Sequence, residues 1–201
     1  MYKQNANKMH GQIRIIGGQW RGRKIPVINH PDLRPTPNRV RETLFNWLAG
    51  PIKDSKCLDC FSGTGALGFE ALSRYAISAT FLEIQTSIVA RLKKNLVTLK
   101  AKNGYVIQTN TLKFLSQKGE LYNVVFVDPP FNQDIIAYTL ILLENNSWLH
   151  HQSLIYVESS VTHPKIPAPK NWFLYREIIA GQVISRLYRR FKETRSNMQD
   201  E

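Results

Sequence analysis

Four consecutive residues, Asp128-Pro129-Pro130-Phe131, place a carboxylate, two prolines and an aromatic ring directly after the apolar run Val124–Val127. Proline has no backbone N–H and stiffens the turn. The Asp128 carboxylate and the Pro129 carbonyl can therefore present two acceptors to one amino group, while the Phe131 ring stacks on a planar base. An aromatic amine is a poor nucleophile, so its alkylation needs in-line positioning and stabilisation of the developing charge. The tetrad indicates methyl transfer to the exocyclic amine of a nucleobase, with Asp128, Pro129 and Phe131 as the catalytic residues.

A glycine loop with the spacing G-x-G-x-x-G is formed by Gly63, Gly65 and Gly68. It lies between a strand-like run and a helix-like stretch, where such a loop lets the backbone approach an adenosyl cofactor. Asp59, four residues before Gly63, can hold the ammonium group of a methionyl moiety, whereas strands before dinucleotide loops are usually apolar at this point. We therefore expect S-adenosylmethionine rather than NAD, held by these residues and by Phe61.

Two further strand ends supply polar groups to the predicted cofactor site. Glu83 ends a strand-like run fifteen residues after Gly68, where a carboxylate can accept hydrogen bonds from both ribose hydroxyls. Asn110 follows the next strand-like run, and its side-chain oxygen can accept from the adenine amine. Asp128 is counted among the cofactor-binding residues too, because its strand is expected beside the glycine loop.

Strand-like runs alternate with helix-like stretches from residue 51 onward, which predicts an α/β fold with a doubly wound, mostly parallel sheet of seven strands. This is the Rossmann-like architecture of class I methyltransferases, in which ligands bind where the first and fourth strands of the chain lie side by side. Trp172–Ile179 and Val183–Tyr188 predict an antiparallel hairpin at the C-terminal end. The other predicted strands are 57–61, 79–82, 105–108, 124–127 and 154–157, and the predicted helices are 66–75, 87–99, 112–116 and 135–143.

The chain is expected to carry a small N-terminal extension. Within it, Ile13–Ile16 predicts a strand, and Thr36 is expected to cap a helix that Pro37 begins. Thr86 is expected to cap a later helix in the same way. The predicted parts are an RNA-binding extension at 1–50, a methyltransferase domain at 51–195 and a frayed tail at 196–201.

Several classes of protein are disfavoured by composition. Cys57 and Cys60 lie three apart on one predicted strand, so they should point to opposite faces as buried, reduced thiols. Two thiolates do not complete a zinc site, and the five histidines lack ligand spacing, so we expect no metal ion. No apolar run approaches the roughly 20 residues of a membrane span. The expectation is a cytoplasmic monomer without a membrane partner.

Positive charge is concentrated near the N-terminus of a chain whose net charge is +12. Residues 1–50 hold nine lysines and arginines against two acidic residues, whereas residues 51–180 hold thirteen against ten. Lysine and arginine neutralise phosphates and release counterions, and interleaved glycine and tryptophan suit contact with a nucleic-acid strand. The expected RNA-binding residues are Arg14, Trp20, Arg21, Arg23, Lys24, Arg34, Arg39 and Arg41.

Together these motifs resemble the RsmD family, bacterial methyltransferases that place a methyl group on guanine N2 in small-subunit ribosomal RNA. The resemblance covers nearly the whole chain. It is carried by Arg14–Gly18, Trp20–Gly22, Arg34–Thr36, Arg39–Asn46, Gly63–Gly68, Asp128–Phe131, Tyr156–Glu158 and Tyr188. It implies one guanine of 16S rRNA near the decoding region as the substrate, presented by a nearly assembled 30S particle. Asn110 departs from the pattern, because many methyltransferases of this class carry an aspartate there.

Three other functions stay open at this point. An adenine-N6 or cytosine-N4 methyltransferase acting on DNA would use the same tetrad, although no separate target-recognition domain is evident. Guanine is favoured weakly, because its N1 and N2 donors match an acceptor-only carboxylate. A non-catalytic ribosome-assembly factor would need only the basic extension, and an NAD-dependent oxidoreductase would need only the glycine loop.

Overall fold

Residues 11–28 of the N-terminal extension fold into a small antiparallel hairpin. The structure is a computed structural model that describes residues 11–28, 36–130 and 133–191. Strand β1 (Gly11–Arg14) pairs with β2 (Lys24–Val27), and a 3-10 turn at Gly18–Trp20 lies between them. The strand predicted at Ile13–Ile16 lies two residues earlier in the structure, at Gly11–Arg14. Ile15 still continues the pairing through hydrogen bonds to Arg23 and Gly22.

Seven further strands form one sheet. They are β3 (Lys56–Asp59), β4 (Ser78–Glu83), β5 (Gly104–Gln108), β6 (Tyr122–Val127), β7 (Leu149–Ser160), β8 (Trp172–Ala180) and β9 (Val183–Arg190). Their order is β5-β4-β3-β6-β7-β9-β8, with β3 to β7 parallel and β8 and β9 antiparallel. The predicted doubly wound sheet, its seven strands and its C-terminal hairpin are confirmed, and the strand before the glycine loop does lie beside the strand before the tetrad.

Five α-helices within the described ranges cover the sheet. They are α1 (Asn38–Trp47), α2 (Ala66–Ser73), α3 (Thr86–Leu99), α4 (Thr111–Leu115) and α5 (Gln133–Asn145). Two predicted caps are wrong. Pro37, not Thr36, precedes the first residue of α1, because the Thr36 hydroxyl donates to Asp128 instead. Thr86 lies inside α3, since Gln85 holds the capping position and the Thr86 hydroxyl accepts from Gln108.

Two apolar cores lie on opposite faces of the sheet. One core joins the hairpin, α1, α2 and α3 to strand residues such as Phe81 and Phe126. The other packs α4 and α5 against alternate residues of the same strands, such as Val125 and Val127. This alternation is the two-residue period of a sheet buried on both faces. It also places the free cysteines Cys57 and Cys60 in different cores, as predicted.

The hairpin shares its core with the main sheet. Ile13, Ile15, Ile25 and Val27 are buried in the same cluster as the inner faces of α2 and α3. The described part of the extension is therefore packed onto the α/β fold and not held apart from it. Among the described residues, no helix has the length and apolar character needed to cross a bilayer.

Candidate active site

The glycine loop joins β3 to α2 through backbone conformations that favour glycine. Gly63 and Gly65 have φ angles of 47° and 76°, in the left-handed region where a Cβ is disfavoured. A Cβ on Gly68, inside α2, would lie 2.2 Å from the Phe81 ring of β4. The three glycines therefore bring the amino end of α2 close to the carboxyl ends of β3 and β4, as the spacing predicts.

Asp59 is a buried carboxyl at the carboxyl end of β3, and 3% of its surface is exposed. Its Oδ2 accepts a hydrogen bond from the Gly68 backbone N–H at 3.2 Å. Burial and, to a smaller extent, the charge of Glu83 together raise the pKa of Asp59 to about 7, against the effect of the Gly68 hydrogen bond. A carboxyl held in this way gains from a neighbouring cation, which would stabilise its charged form.

Glu83 connects the end of β4 to the glycine loop. Its Oε2 accepts from the Gly63 N–H at 3.0 Å, and its Oε1 accepts from the N–H groups of Ile84 and Gln85, both at 2.8 Å. These bonds fix the Glu83 carboxylate at the carboxyl end of β4, beside the glycine loop. Because each carboxylate oxygen can accept more than one hydrogen bond, the predicted contact with ribose hydroxyls is compatible with this geometry and stays a prediction.

Asn110 caps α4. Its Oδ1 accepts from the Lys113 backbone N–H at 3.0 Å, so the side-chain oxygen already satisfies one donor of the helix end. The residue is exposed at the carboxyl end of β5, next to the strand that carries Glu83. The predicted adenine contact of Asn110 stays a prediction, as does the predicted contact of Phe61 with the cofactor; the Phe61 side chain is half-buried.

Asp128 follows β6 directly, on the sheet face that carries Asp59. Its Oδ2 accepts from the Thr36 hydroxyl at 3.2 Å. Burial, the charge of Glu158 and the charge of Asp59 raise the pKa of Asp128 well above its usual range, and the hydrogen bond from Thr36 opposes this. Pro129 is buried, whereas Phe131 lies outside the described residues. The structure thus brings two of the three predicted catalytic residues to the carboxyl end of the strand beside β3.

Two residues of this cluster were missed by the sequence interpretation as site residues. Glu158 lies on β7, where the pairing of Val127 with Val157 places Asp128 and Glu158 next to each other. The Tyr156 hydroxyl donates to Glu158 and is 3.0 Å from the Ser185 hydroxyl. The sequence signal that could have found Glu158 is its position after a strand: it directly follows the apolar run Leu154–Val157, as Asp128 directly follows Val124–Val127.

Part of the basic extension docks onto α2. Glu70, with 0% of its surface exposed, accepts from the backbone N–H groups of Ile16 at 2.9 Å and Gly17 at 2.8 Å. Its carboxylate also pairs with Arg74 at 2.8 Å and lies 3.8 Å from the Arg41 guanidinium. The buried carboxylate therefore holds the loop between the hairpin strands against the main fold.

Two predicted RNA-binding residues are corrected by these contacts. Arg41 is 1% exposed and donates to the Arg14 carbonyl at 3.0 Å, so its charge is turned inward. Trp20 is 9% exposed, so its ring is a packing element and not a platform for a base. The Trp20 backbone N–H donates to the Ser73 hydroxyl at 3.0 Å. A Cβ on Gly18 would lie 1.8 Å from the Ser73 carbonyl oxygen, so this glycine serves the docking of the loop.

The remaining basic residues are on the surface. Those exposed are Arg14, Arg21, Arg23, Lys24 and Arg39, and Arg34 lies outside the described residues. Arg23 also donates to the Thr98 carbonyl of α3 at 3.3 Å. Arg39 lies in the first turn of α1, three residues after Thr36, whose hydroxyl donates to Asp128.

A separate groove of about 1250 Å³ lies near the amino ends of the strands, lined by Lys93, Lys100, Lys102 and Tyr105 among others. It contains none of the predicted site residues. Within the described ranges, no group of three or more His, Cys, Asp and Glu side chains is arranged to hold a metal ion.

Comparison with known proteins identifies relatives along most of the chain. Residues 13–189 match the family model described as conserved hypothetical protein 95. The chain is 59% identical over 180 residues to ribosomal RNA small subunit methyltransferase D of Escherichia coli K12, which covers 90% of this chain and 91% of that protein. It is 48% identical over 192 residues to the protein of the same name from Haemophilus influenzae, with coverage of 94% and 99%.

Solved structures share the fold. A structure from Escherichia coli, described as a candidate methyltransferase, has a TM-score of 0.86 and 56% identity, and covers 90% of this chain and 99% of that one. An RNA methyltransferase from Salinibacter ruber, solved with S-adenosyl-L-homocysteine, has a TM-score of 0.63 at 15% identity, with coverage of 83% and 100%, and shows the common fold alone. The chain therefore belongs to the RsmD family, the family of the ribosomal RNA small subunit methyltransferase D proteins.

Proposed function

We propose that this protein transfers a methyl group from S-adenosylmethionine to the exocyclic N2 amine of a guanine in 16S rRNA, within the 30S subunit. The observation that carries the proposal is the convergence of Asp59, Glu83 and Asp128 at the carboxyl ends of three adjacent strands. The relatives' name, ribosomal RNA small subunit methyltransferase D, supports the substrate class. A monomer is the proposed working form.

The residues present fit the proposed cofactor. S-adenosylmethionine carries an ammonium group, a sulfonium and two ribose hydroxyls, and a set of buried or half-buried carboxyls suits cations and hydroxyl donors. Asp59 would hold the ammonium group, Glu83 the ribose hydroxyls, and the loop of Gly63 and Gly65 would lie along the nucleoside. The cofactor supplies an activated methyl group, so no residue of the chain has to act as a nucleophile.

The chain's own part in the reaction is to place the amine and to bind its charge. The Asp128 carboxyl and the Pro129 carbonyl would accept the two N–H groups of the guanine amine, which holds the nitrogen lone pair toward the methyl donor. The hydroxyl of Thr36 donates to Oδ2 of Asp128 and so restrains the carboxyl. Positioning of this kind is effective because the acceptors are fixed before the charge develops.

A labelling assay tests this function. Labelled S-adenosylmethionine is incubated with naked 16S rRNA, 30S particles and duplex DNA from a host that lacks the protein, and the modified nucleoside is identified by mass spectrometry. We expect N2-methylguanosine from 30S particles. Methyladenine or methylcytosine in DNA would overturn the substrate and the base, and bound cofactor without any transfer would favour a non-catalytic assembly factor. Tight NAD binding without S-adenosylmethionine binding would overturn the cofactor.

One substitution tests the role of Asp128 within this function. Asp128→Ala is expected to retain cofactor binding and to lose most turnover, by about a hundredfold or more, because preorganised acceptors contribute on that scale. Near-normal turnover would contradict the acceptor role.

The exposed basic residues form the proposed RNA contact. Replacing Arg21, Arg23 and Lys24 together by Ala should weaken RNA binding and reduce its salt dependence, because each phosphate contact releases counterions. A matched control replaces Lys165, Lys170 and Arg176, which are exposed in β8 and the segment before it, at the edge of the sheet away from α3. Equal changes in salt dependence for both sets would show that the contact is not confined to the extension.

A further inference from the structure

The half-buried carboxyl of Asp128 belongs to a larger cluster of carboxyl groups. Glu158, 8% exposed on β7, lies within hydrogen-bonding reach of Asp128, and Tyr156 and Thr36 donate hydrogen bonds to the two carboxyl groups. Asp59 contributes a third carboxyl on the same face. Within the described residues, none of the three carboxyls forms an ion pair with Lys or Arg.

The hydrogen bonds distribute unequally over the two neighbouring carboxyls. Hydrogen bonds from Tyr156, Asp128 and Thr36 all lower the pKa of Glu158. Only the hydrogen bond from Thr36 lowers the pKa of Asp128. When two carboxyls lie this close, they cannot both ionise freely, and the one with fewer donors keeps the proton more strongly. Burial raises the pKa of Glu158 too, but its hydrogen bonds oppose that shift, so Glu158 ionises before Asp128 and its charge raises the pKa of Asp128.

This asymmetry matters because methylation of an amine releases a proton. As the bond between nitrogen and the methyl group forms, the bond between sulfur and the methyl group breaks and its electron pair stays on sulfur. The nitrogen then sheds one N–H proton, and the electron pair of that N–H bond stays on nitrogen. A carboxylate whose pKa lies nearer to the working pH is a better acceptor for such a proton than an ordinary aspartate.

On the basis of the proposed function, we propose that Glu158 is a positioning residue for methyl transfer, which orients the Asp128 carboxyl and makes it the base that takes the proton released by the amine. The proton passes from the amine nitrogen to an Asp128 oxygen and then to solvent. Tyr156 and Ser185 hold Glu158 in place from β7 and β9. Among the residues that the structure describes, the titratable groups that face Asp128 are Glu158 and Tyr156 on β7 and Asp59 on β3.

Two substitutions are expected to act in opposite directions. Glu158→Gln removes a negative charge beside Asp128, so the pKa of Asp128 falls and the acid limb of the kcat–pH profile moves to lower pH. Thr36→Val removes the donor that favours the Asp128 carboxylate, so the acid limb moves to higher pH. At neutral pH, Glu158→Gln should lower kcat by roughly tenfold, a part of the 10²–10⁴-fold that general base catalysis contributes, because Asp128 becomes a weaker base. KM for 30S particles and cofactor affinity should change little.

Controls separate this role from a merely structural one. Glu120→Gln makes the same chemical change on an exposed carboxylate beyond the opposite ends of the strands and should leave the profile unchanged. Glu158→Asp, which keeps the charge, should retain the wild-type pH dependence even if kcat falls, and it replaces Glu158→Gln as the test if that variant does not fold. Carboxyl carbon-13 NMR follows the Asp128 titration in each variant independently of turnover.

The outcomes are distinguishable. Opposite shifts for Glu158→Gln and Thr36→Val, in both kcat and the NMR titration, support the inference. A loss of kcat with the wild-type pH profile in Glu158→Gln, or a shift in the same direction for both variants, would overturn it while wild-type methylation preserves the proposed function. A wild-type protein that methylates no guanine overturns the function and the base role with it.

Discussion

Asp59→Asn separates what the buried carboxyl costs in stability from what it contributes to cofactor binding. Burial raises the pKa of Asp59 from 3.8 to about 7 in the folded chain. Between these two values the folded chain holds a proton that the unfolded chain has lost, so the free energy of unfolding decreases as pH rises through this window. A difference of about three pH units, at about 1.36 kcal/mol each, gives about 4 kcal/mol of stability lost by pH 8.

Asparagine has nearly the shape of the protonated aspartate, and its side-chain oxygen can still accept from the Gly68 N–H. We therefore expect Asp59→Asn to match the wild type in stability near pH 4 and to exceed it by up to about 4 kcal/mol at pH 8. Urea unfolding at several pH values measures this difference. The control is Glu42→Gln, which neutralises an exposed carboxylate of α1 and should not change the pH dependence appreciably.

Asp59→Asn is expected to lower cofactor affinity, although it raises stability at pH 8. An amide has no charge to hold an ammonium group, and a lost charge-assisted hydrogen bond costs about 1.5–3 kcal/mol, or roughly 10- to 150-fold in affinity. In the wild type, affinity should decrease as pH falls below about 7, because the Asp59 carboxyl becomes protonated. Calorimetry measures both effects. A stability difference that does not grow between pH 4 and pH 8 would refute the burial argument, and unchanged cofactor affinity would refute the ammonium contact.

Three further substitutions test the packing that supports the site. Gly68→Ala should lower stability by about 1–3 kcal/mol and weaken cofactor binding, because the new methyl group would displace the Phe81 ring; thermal unfolding and calorimetry measure the two effects, and an unchanged protein would contradict the close approach. Glu70→Gln should cost about 3 kcal/mol, since it leaves the buried charge of Arg41 without its partner, and chemical unfolding gives the value. Gly18→Ala should cost about 2 kcal/mol from the positive φ of 76° and the nearby helix carbonyl; a drop in RNA affinity without loss of stability would return this glycine to an RNA-binding role.

The elements that the sequence predicted correctly are those whose signal is local. The spacing of Gly63, Gly65 and Gly68 encodes a turn that few other residues can adopt, so its place between a strand and a helix could be predicted. The alternation along β6 and β7 encodes burial on both faces. The polar residues that end such strands then lie at one edge of the sheet by topology, which is why Asp59 and Asp128 could be expected to lie close together.

The errors came from residues whose surroundings are set by distant parts of the chain. Arg41 and Trp20 were counted with their exposed neighbours because composition gives charge and ring type, but not which side chains face α2. The relevant partner of Arg41, Glu70, is 29 positions away and reads in isolation as an ordinary helix residue. Thr36 is an acceptable cap by local rules, and only the fold reveals the competing acceptor 92 positions further on.

The buried carboxyls of this fold divide into two kinds. Glu70 is surrounded by two arginines and two backbone N–H groups, so its charge is matched by the chain itself and serves to fasten the hairpin. Asp59 and Asp128 have raised pKa values because burial removes water and no cation among the described residues replaces it. The ionised forms of these two carboxyls lower the stability of the fold at neutral pH unless a bound group supplies positive charge. The ammonium and sulfonium groups of the proposed cofactor would supply it, so binding should be accompanied by proton release near pH 7. Calorimetry in buffers of different ionisation enthalpy would measure that release, and its absence would mean that these carboxyls are not the cofactor's partners.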